Sequence, residues 1–143
     1  MNDKIILLVE DNPDDEQLAV RALKKHNIVN KIDVARDGQA ALDYLFDEGK
    51  PLPALVLLDL KLPKVSGLEV LQRLRANERT AILPVVILTT SKEEQDLLDS
   101  YRSGCNSYIR KPVDFVQFAE AVRQLKVYWL VINEGPPKNG KSK

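Results

Sequence analysis

The stretch Ala54-Leu55-Val56-Leu57-Leu58-Asp59 is an unbroken apolar run that ends in a carboxylate. Apolar residues without polar alternation are typical of a strand that is buried on both faces, usually within a parallel sheet. Asp59 then lies at the carboxyl end of this strand, which is where ligands bind in open α/β sheets. Because a carboxylate can also simply end a strand, the role of Asp59 depends on the residues at the ends of the neighbouring strands.

Four other segments are predicted to be strands, and three of them are also followed by polar or charged residues. Residues 4–9 are followed by Glu10-Asp11, residues 84–88 by Thr89, and residues 106–109 by Arg110-Lys111. The remaining segment, residues 32–35, alternates apolar and polar side chains, as an edge strand does.

Five helices are predicted to alternate with these strands, each beginning near a residue that can cap its first turn. The predicted capping residues are Asn12, Asp37, Ser66, Ser91 and Asp114, with Glu69, Glu94 and Gln117 completing three capping boxes. Gly49 is expected to end the second helix. Strict alternation of strands and helices predicts the α/β class, with a doubly wound five-stranded parallel sheet. Placing the most apolar strands in the centre and the alternating strand at an edge predicts the strand order 2-1-3-4-5.

This strand order brings Glu10, Asp11 and Asp59 to one crevice, with Thr89 and Lys111 on the same edge of the sheet. Three neighbouring carboxylates repel one another unless a cation lies between them, and an oxygen-only cluster suits Mg²⁺. A metal-assisted carboxylate can attack phosphorus to form an acyl phosphate, so Asp59 is a candidate nucleophile. We expect Lys111 to pair with Asp59 or with a phosphoryl oxygen, and Thr89 to donate to the same group.

Each of these residues also has a purely structural explanation. The acidic pair could begin a helix, Thr89 could be a capping residue, and Lys111 could be an ordinary loop lysine. Polar groups at the ends of four adjacent strands favour one shared site over several separate explanations.

The composition argues against several classes of protein. The 143 residues contain 21 basic and 21 acidic side chains, so the net charge gives no argument for nucleic acid or an anionic membrane as a partner. The single cysteine, Cys105, cannot form an internal disulfide, which suits a reducing compartment. No apolar run approaches the roughly 20 residues that span a bilayer, and the start of the chain lacks a signal-peptide pattern. We therefore expect a cytoplasmic protein with one folded domain.

With these motifs in place, the chain resembles the receiver domains of two-component response regulators, the CheY-like family with a flavodoxin-like fold, over about residues 4–133. The matching pieces are Glu10-Asp11, Asp59 followed by Leu62-Pro63 and Gly67, Thr89 after an apolar strand, and Lys111-Pro112. Residues 9–15, the connector 50–53 and Tyr128-Trp129-Leu130 are further similar to the small regulators that act with phytochrome-type kinases.

The resemblance implies a magnesium-dependent phosphoacceptor site. Asp59 would be the phosphoacceptor, and Asp11 would bind Mg²⁺ directly. Glu10 would act on the metal through a water molecule, and the backbone carbonyl of Lys61 would complete the protein ligands together with Asp59.

The same resemblance implies a signalling switch in which Thr89 and Tyr108 form the switch pair, while Thr89 and Lys111 assist Asp59 in the chemistry. The expected function is that of a single-domain response regulator, phosphorylated by the phosphohistidine of a sensor histidine kinase of the phytochrome type. Such a protein catalyses its own phosphorylation and its slow autodephosphorylation, and it acts as a switch rather than as an enzyme of many turnovers.

Two other functions stay open at this point. One is an interaction module of the receiver type that works without phosphorylation. The other is a Mg²⁺-dependent phosphohydrolase with an aspartate nucleophile. The haloacid-dehalogenase type of that enzyme needs a second aspartate two residues after Asp59, where this chain has Lys61.

Residues 1–133 are expected to form the receiver domain, and residues 134–143, which are rich in Gly, Pro and Lys, a disordered tail. The last helix is predicted to be amphipathic over residues 114–126 and apolar on all sides over residues 127–132. About 19 helical residues span roughly 28 Å, which exceeds the ~17–20 Å of a typical strand. The overhang either packs down on the core or exposes an apolar patch. We expect a homodimer through this helix, with an interface formed by Val127, Tyr128, Leu130 and Val131.

Overall fold

A computed structural model describes residues 5–25, 30–111 and 115–124 of the chain. Strands and helices alternate in the order β1 Ile6–Val9, α1 Pro13–Lys25, β2 Ile32–Ala35, α2 Gly38–Leu45, β3 Leu55–Leu58, α3 Gly67–Ala76, β4 Val85–Thr89, α4 Glu94–Arg102, β5 Ser107–Arg110 and α5 Phe115–Gln124. All strand pairs are parallel, and the sheet order is β2-β1-β3-β4-β5. The predicted α/β class, doubly wound sheet and strand order are therefore confirmed.

The central strand β3 is buried along its whole length because its side chains enter a different core on each face of the sheet. Val56 and Leu58 belong to a core that includes side chains of α2 and α3. Leu55 and Leu57 belong to a second core that includes side chains of α1 and Phe118 of α5. Full burial of each such side chain contributes about 1.5–3 kcal/mol, so both faces of this strand stabilise the sheet.

Three of the predicted helix starts are confirmed by side-chain caps. Asp37 Oδ1 accepts from the Ala40 N–H at 2.7 Å, and Ser66 Oγ accepts from the Glu69 N–H at 3.2 Å. Asn12 Oδ1 accepts from two N–H groups in the first turn of α1. These caps satisfy donors that have no partner inside the helix.

The predicted capping box of Ser91 and Glu94 is wrong, because α4 begins at Glu94 and its N-cap residue is Glu93, without a side-chain cap. The Ser91 N–H donates to Thr89 Oγ1 at 3.1 Å, and the Ser91 carbonyl accepts from Arg110 Nε at 3.2 Å. These contacts with β4 and β5 hold Ser91 in the loop, so the helix starts two residues later than predicted.

The prediction that Gly49 ends α2 is also wrong. The helix ends at Leu45, and Gly49 lies in an exposed turn where its N–H donates to Asp47 Oδ1 at 2.9 Å. The Leu45 carbonyl accepts instead from Arg79 Nη1 at 2.8 Å, and the Lys50 carbonyl accepts from Nη2 of the same side chain at 2.9 Å. A distant arginine thus satisfies the backbone carbonyl at the end of this helix.

The strand ends differ slightly from the predicted ones. Thr89 is the last residue of β4 rather than the first residue after it, because it pairs with Arg110 of β5. The Lys111 N–H continues this ladder by donating to the Thr89 carbonyl at 2.8 Å.

Several predictions concern residues outside the described part of the chain. These are the Asp114 cap, the last helix beyond residue 124, the interface residues Val127, Tyr128, Leu130 and Val131, and the tail of residues 134–143. Within the described part of α5, Phe118 is fully buried and Val116 is exposed. No helix among the described residues is long and apolar enough to cross a membrane.

Candidate functional site

Three carboxylates meet where β1 and β3 end side by side. Val9 pairs with Leu58, and the Asp59 N–H donates to the Val9 carbonyl at 3.1 Å, so the residues just past the two strands are neighbours. Carboxylate oxygens of Glu10, Asp11 and Asp59 lie within 4.8 Å of one another. The prediction that these three side chains share one crevice is confirmed.

Lys111 lies among these carboxylates with its ammonium group almost enclosed. Its Nζ is 3.2 Å from Asp59 Oδ2 and 2.5 Å from Glu10 Oε1, and its side chain is 10% exposed. The predicted pairing of Lys111 with Asp59 is therefore confirmed. The backbone bond from Lys111 to Thr89 positions the lysine at the same edge of the sheet as the acids.

Asp15 is a member of the cluster that the sequence pattern did not reveal. Its Oδ2 is 3.1 Å from Lys111 Nζ, although its position in the sequence suggested only an acid that stabilises the start of α1. The available signal was that the first turn of α1 comes directly after the acidic pair and so lies over the same edge of the sheet.

Burial and the contacts between Lys111 and its acidic neighbours act in opposite directions on the pKa values of Glu10 and Lys111. Burial raises the pKa of Glu10, and the nearby charge of Asp59 adds to this, while the hydrogen bond from Lys111 opposes it. Burial alone would lower the pKa of Lys111, but the hydrogen bond to Glu10, the charge of Asp59 and the hydrogen bond to Asp15 outweigh burial and raise it. Lys111 is therefore a cation at neutral pH, held in place by its acidic neighbours.

The donor set fits a hard divalent cation. The cluster contains four carboxyl groups, those of Glu10, Asp11, Asp15 and Asp59, and one ammonium group, so acidic groups outnumber basic ones. Mg²⁺ binds oxygen ligands, uses one or two carboxylates and keeps several waters. Glu10 and Asp59 are buried and Asp11 is exposed, so the cluster opens to solvent on the side of Asp11.

The loop after Asp59 packs so closely that only glycine fits at position 67. A Cβ atom on Gly67 would lie 2.0 Å from the Asp59 carbonyl oxygen, and the Gly67 N–H donates to the Leu60 carbonyl at 2.8 Å. The Lys61 N–H donates a long hydrogen bond to Asp59 Oδ1 at 3.4 Å. The close packing of α3 thus restrains the segment that contains Asp59 and Lys61. A metal contact of the Lys61 carbonyl stays a prediction.

The two residues predicted to form the switch pair lie on neighbouring strands. Thr89 is fully buried at the end of β4, and Tyr108 lies on β5 opposite Ile87. The Tyr108 hydroxyl is buried and has no hydrogen-bond partner among the described residues. Burial raises the pKa of Tyr108, and the charge of Asp96 adds to this. Ser91 lies next to this hydroxyl, but its own hydroxyl donates to Asp96 Oδ2.

The chain is similar to known proteins over most of its length. The family model described as response regulator receiver domain matches residues 6–123. The chain is 46% identical over 135 residues to FilR2 of Methanothrix harundinacea (strain 6Ac), described as a probable methanogenesis regulatory protein, with 92% of this chain and 87% of that protein covered.

Two solved structures extend the comparison. The bacteriophytochrome response regulator AtBRR has a TM-score of 0.81 and 50% identity, over 92% of this chain and 98% of that one. The phosphorylated cyanobacterial phytochrome response regulator RcpA has a TM-score of 0.73 and 38% identity, over 89% of this chain and 94% of that one.

Proposed function

The chain belongs to the response regulator receiver domain family, and we propose that it accepts a phosphoryl group on Asp59 from the phosphohistidine of a sensor histidine kinase. One observation carries this proposal. Asp59 directly follows the central strand of the sheet, and its carboxylate lies 3.2 Å from an enclosed lysine ammonium group and in a cluster of three carboxylates. The solved structure of RcpA, a relative of 38% identity, is that of the phosphorylated protein.

In the proposed reaction an oxygen of Asp59 attacks phosphorus, the bond from phosphorus to the donor imidazole breaks, and its electron pair goes to the departing nitrogen. Lys111 neutralises charge on the phosphoryl oxygens because its Nζ already lies beside Asp59. Glu10, Asp11, Asp59 and the carbonyl of Lys61 would hold Mg²⁺, which supplies further charge stabilisation of several kcal/mol. We propose that Glu10 acts through water, because its Oε1 is engaged by Lys111.

We propose that Thr89 and Tyr108 transmit the change to the surface of α4 and β5. The Thr89 hydroxyl, whose oxygen now accepts from the Ser91 N–H, would turn toward the phosphoryl oxygens. The space it leaves would be open to the Tyr108 ring, which is a local change that biases a two-state loop. Thr89→Ala is expected still to accept phosphate but to show no change in partner affinity on phosphorylation.

The proposed partner is a kinase of the phytochrome type, because AtBRR and RcpA are both response regulators of phytochromes by their descriptions. We further propose a cytoplasmic location and a homodimer through Val127, Tyr128, Leu130 and Val131, for which the apolar sequence after residue 126 is the support. The double variant Val127→Glu/Leu130→Glu is expected to be monomeric in light scattering at concentrations where the wild type is dimeric.

Phosphotransfer from purified kinases tests the partner. A radiolabelled phytochrome-type kinase and a histidine kinase of another class are each mixed with the wild type and with Asp59→Asn. We expect rapid transfer from the phytochrome-type kinase to the wild type, slower transfer from the other kinase, and none to Asp59→Asn. Equal transfer from both kinases would contradict the phytochrome assignment, and absence of transfer from any phosphodonor would favour the phosphorylation-independent module.

A further inference from the structure

Three carboxylates share the ammonium group of Lys111, and the third has no role in the proposed chemistry. Nζ lies 2.5 Å from Glu10, 3.1 Å from Asp15 and 3.2 Å from Asp59. An ammonium group has three N–H donors and no acceptor, so these three contacts can occupy all of its donors. A phosphoryl oxygen can therefore gain a hydrogen bond from Lys111 only if one carboxylate gives one up.

The position of Asp15 is set by the loop that carries the acidic pair. Glu10 Oε2 accepts from the Asn12 N–H at 3.2 Å, and Asn12 Oδ1 accepts from the N–H groups of Asp14 and Asp15 at 2.8 and 3.1 Å. The first turn of α1 is thus tied to Glu10 through Asn12. The contact between Asp15 and Lys111 is a consequence of this arrangement rather than a chance pairing of two flexible side chains.

The three carboxylates differ in how easily they can release Lys111. The exposed fractions of their side chains are 3% for Glu10, 10% for Asp59 and 31% for Asp15. A buried carboxylate that loses its partner is left without a hydrogen-bond donor, which is unfavourable, whereas a carboxylate at the solvent boundary can bind water instead. Asp59 becomes the acyl phosphate in the proposed reaction, so the comparison that matters is between Glu10 and Asp15, which stay carboxylates. Of these two, Asp15 is the one whose release from Lys111 is less unfavourable.

We propose that Asp15 is a positioning residue that holds Lys111 in the unphosphorylated protein and competes with the phosphoryl group for one of its N–H donors. This inference rests on the proposed function, in which Asp59 accepts that group. On phosphorylation Lys111 turns from Asp15 to a phosphoryl oxygen, and Asp15 is left to water. Its negative charge also repels the phosphoryl group, so Asp15 lowers the stability of the phosphorylated state in two ways.

The test uses beryllofluoride, which forms a phosphoryl-like group on a carboxylate, in the presence of Mg²⁺. Its affinity is measured by calorimetry for the wild type, Asp15→Asn and the control Asp14→Asn. Asp14 is exposed, has the same charge and lies in the same helical turn, but it is not among the contacts of Lys111. Asp15→Asn is expected to bind beryllofluoride roughly three- to tenfold more tightly than the wild type, which is the range for one gained hydrogen bond. Asp14→Asn is expected to stay within about twofold, because an exposed charge is screened.

A second variant, Asp15→Ala, removes the acceptor entirely and is expected to tighten binding at least as much as Asp15→Asn. If the role of Asp15 were purely structural, its substitution would lower the free energy of unfolding without tightening the affinity for beryllofluoride. Equal or weaker affinity in both Asp15 variants would therefore overturn the inference. Failure of the wild type and of Asp14→Asn to bind beryllofluoride would instead overturn the proposed function, and this inference with it.

Discussion

Arg75 links three segments at the edge of the sheet opposite the carboxylate cluster, and its removal is the most informative test of the fold. Its Nε donates to the Gly104 carbonyl at 2.8 Å, and its Nη1 donates to the carbonyls of Ala81 and Leu83 at 3.1 and 2.8 Å. Its Nη2 donates to Asn106 Oδ1 at 2.9 Å. The guanidinium therefore joins α3 to the segments that lead into β4 and β5.

Arg75→Ala is expected to lower the free energy of unfolding by about 3 kcal/mol. A hydrogen bond to a charged group contributes about 1.5–3 kcal/mol, but four bonds from one partly buried side chain are not additive. Asn106 Oδ1 also keeps a second donor, the Val85 N–H at 2.8 Å, which reduces the loss. The expected change is a large share of the roughly 5–15 kcal/mol by which such domains are stable. Arg75→Lys keeps the charge but not the planar fork, so it is expected to lose more than half as much.

Urea denaturation followed by circular dichroism measures this change, with Arg73→Ala as the matched control. Arg73 lies on the same helix, and its one ion pair within the described part of the chain is an exposed one with Glu69, four residues away. Such pairs contribute about 0.3–0.5 kcal/mol. If Arg75→Ala lost no more stability than Arg73→Ala, the role given to the Arg75 hydrogen bonds would be wrong.

Two further changes test the close packing and the burial of single residues. Gly67→Ala places a Cβ atom 2.0 Å from the Asp59 carbonyl oxygen, so it is expected to lower the free energy of unfolding by about 1–3 kcal/mol or more. It should also weaken the affinity for Mg²⁺ in a calorimetric titration. The control Gly49→Ala, at an exposed position, should change neither quantity. Burial raises the pKa of Cys105 from 9.0 to about 11, so between these pH values the unfolded chain loses the thiol proton first. The Cys105 thiol should therefore contribute a fall of roughly 2–3 kcal/mol in the free energy of unfolding on going from neutral pH to about pH 11, and urea denaturation of Cys105→Ala should show a fall that is smaller by this amount.

The sheet and the main members of the site were predictable because they depend on local pattern and on one rule of parallel sheets. The uninterrupted apolar residues of β1, β3 and β4 required burial on both faces, and the alternating residues of β2 marked an edge. Parallel strands place all their carboxyl ends at one edge, which is why Asp59 and Lys111 could be expected to meet.

The missed features depend on contacts between residues far apart in the sequence. Asp15 reaches a lysine 96 positions away, and the end of α2 is satisfied by Arg79, 34 positions from Leu45. Ser91 is kept out of α4 by Arg110, 19 positions away. In each case the local pattern allowed the predicted arrangement, and the packing of another element decided against it.

The central claim is that Asp59 is the phosphoacceptor, and mass spectrometry after treatment with acetyl phosphate and Mg²⁺ tests it most directly. The wild type is expected to gain one phosphoryl group on the peptide that contains Asp59, and this gain should be lost when Mg²⁺ is chelated. Asp59→Asn is expected to gain none. An unmodified wild type, or the same gain in Asp59→Asn, would contradict the assignment of Asp59.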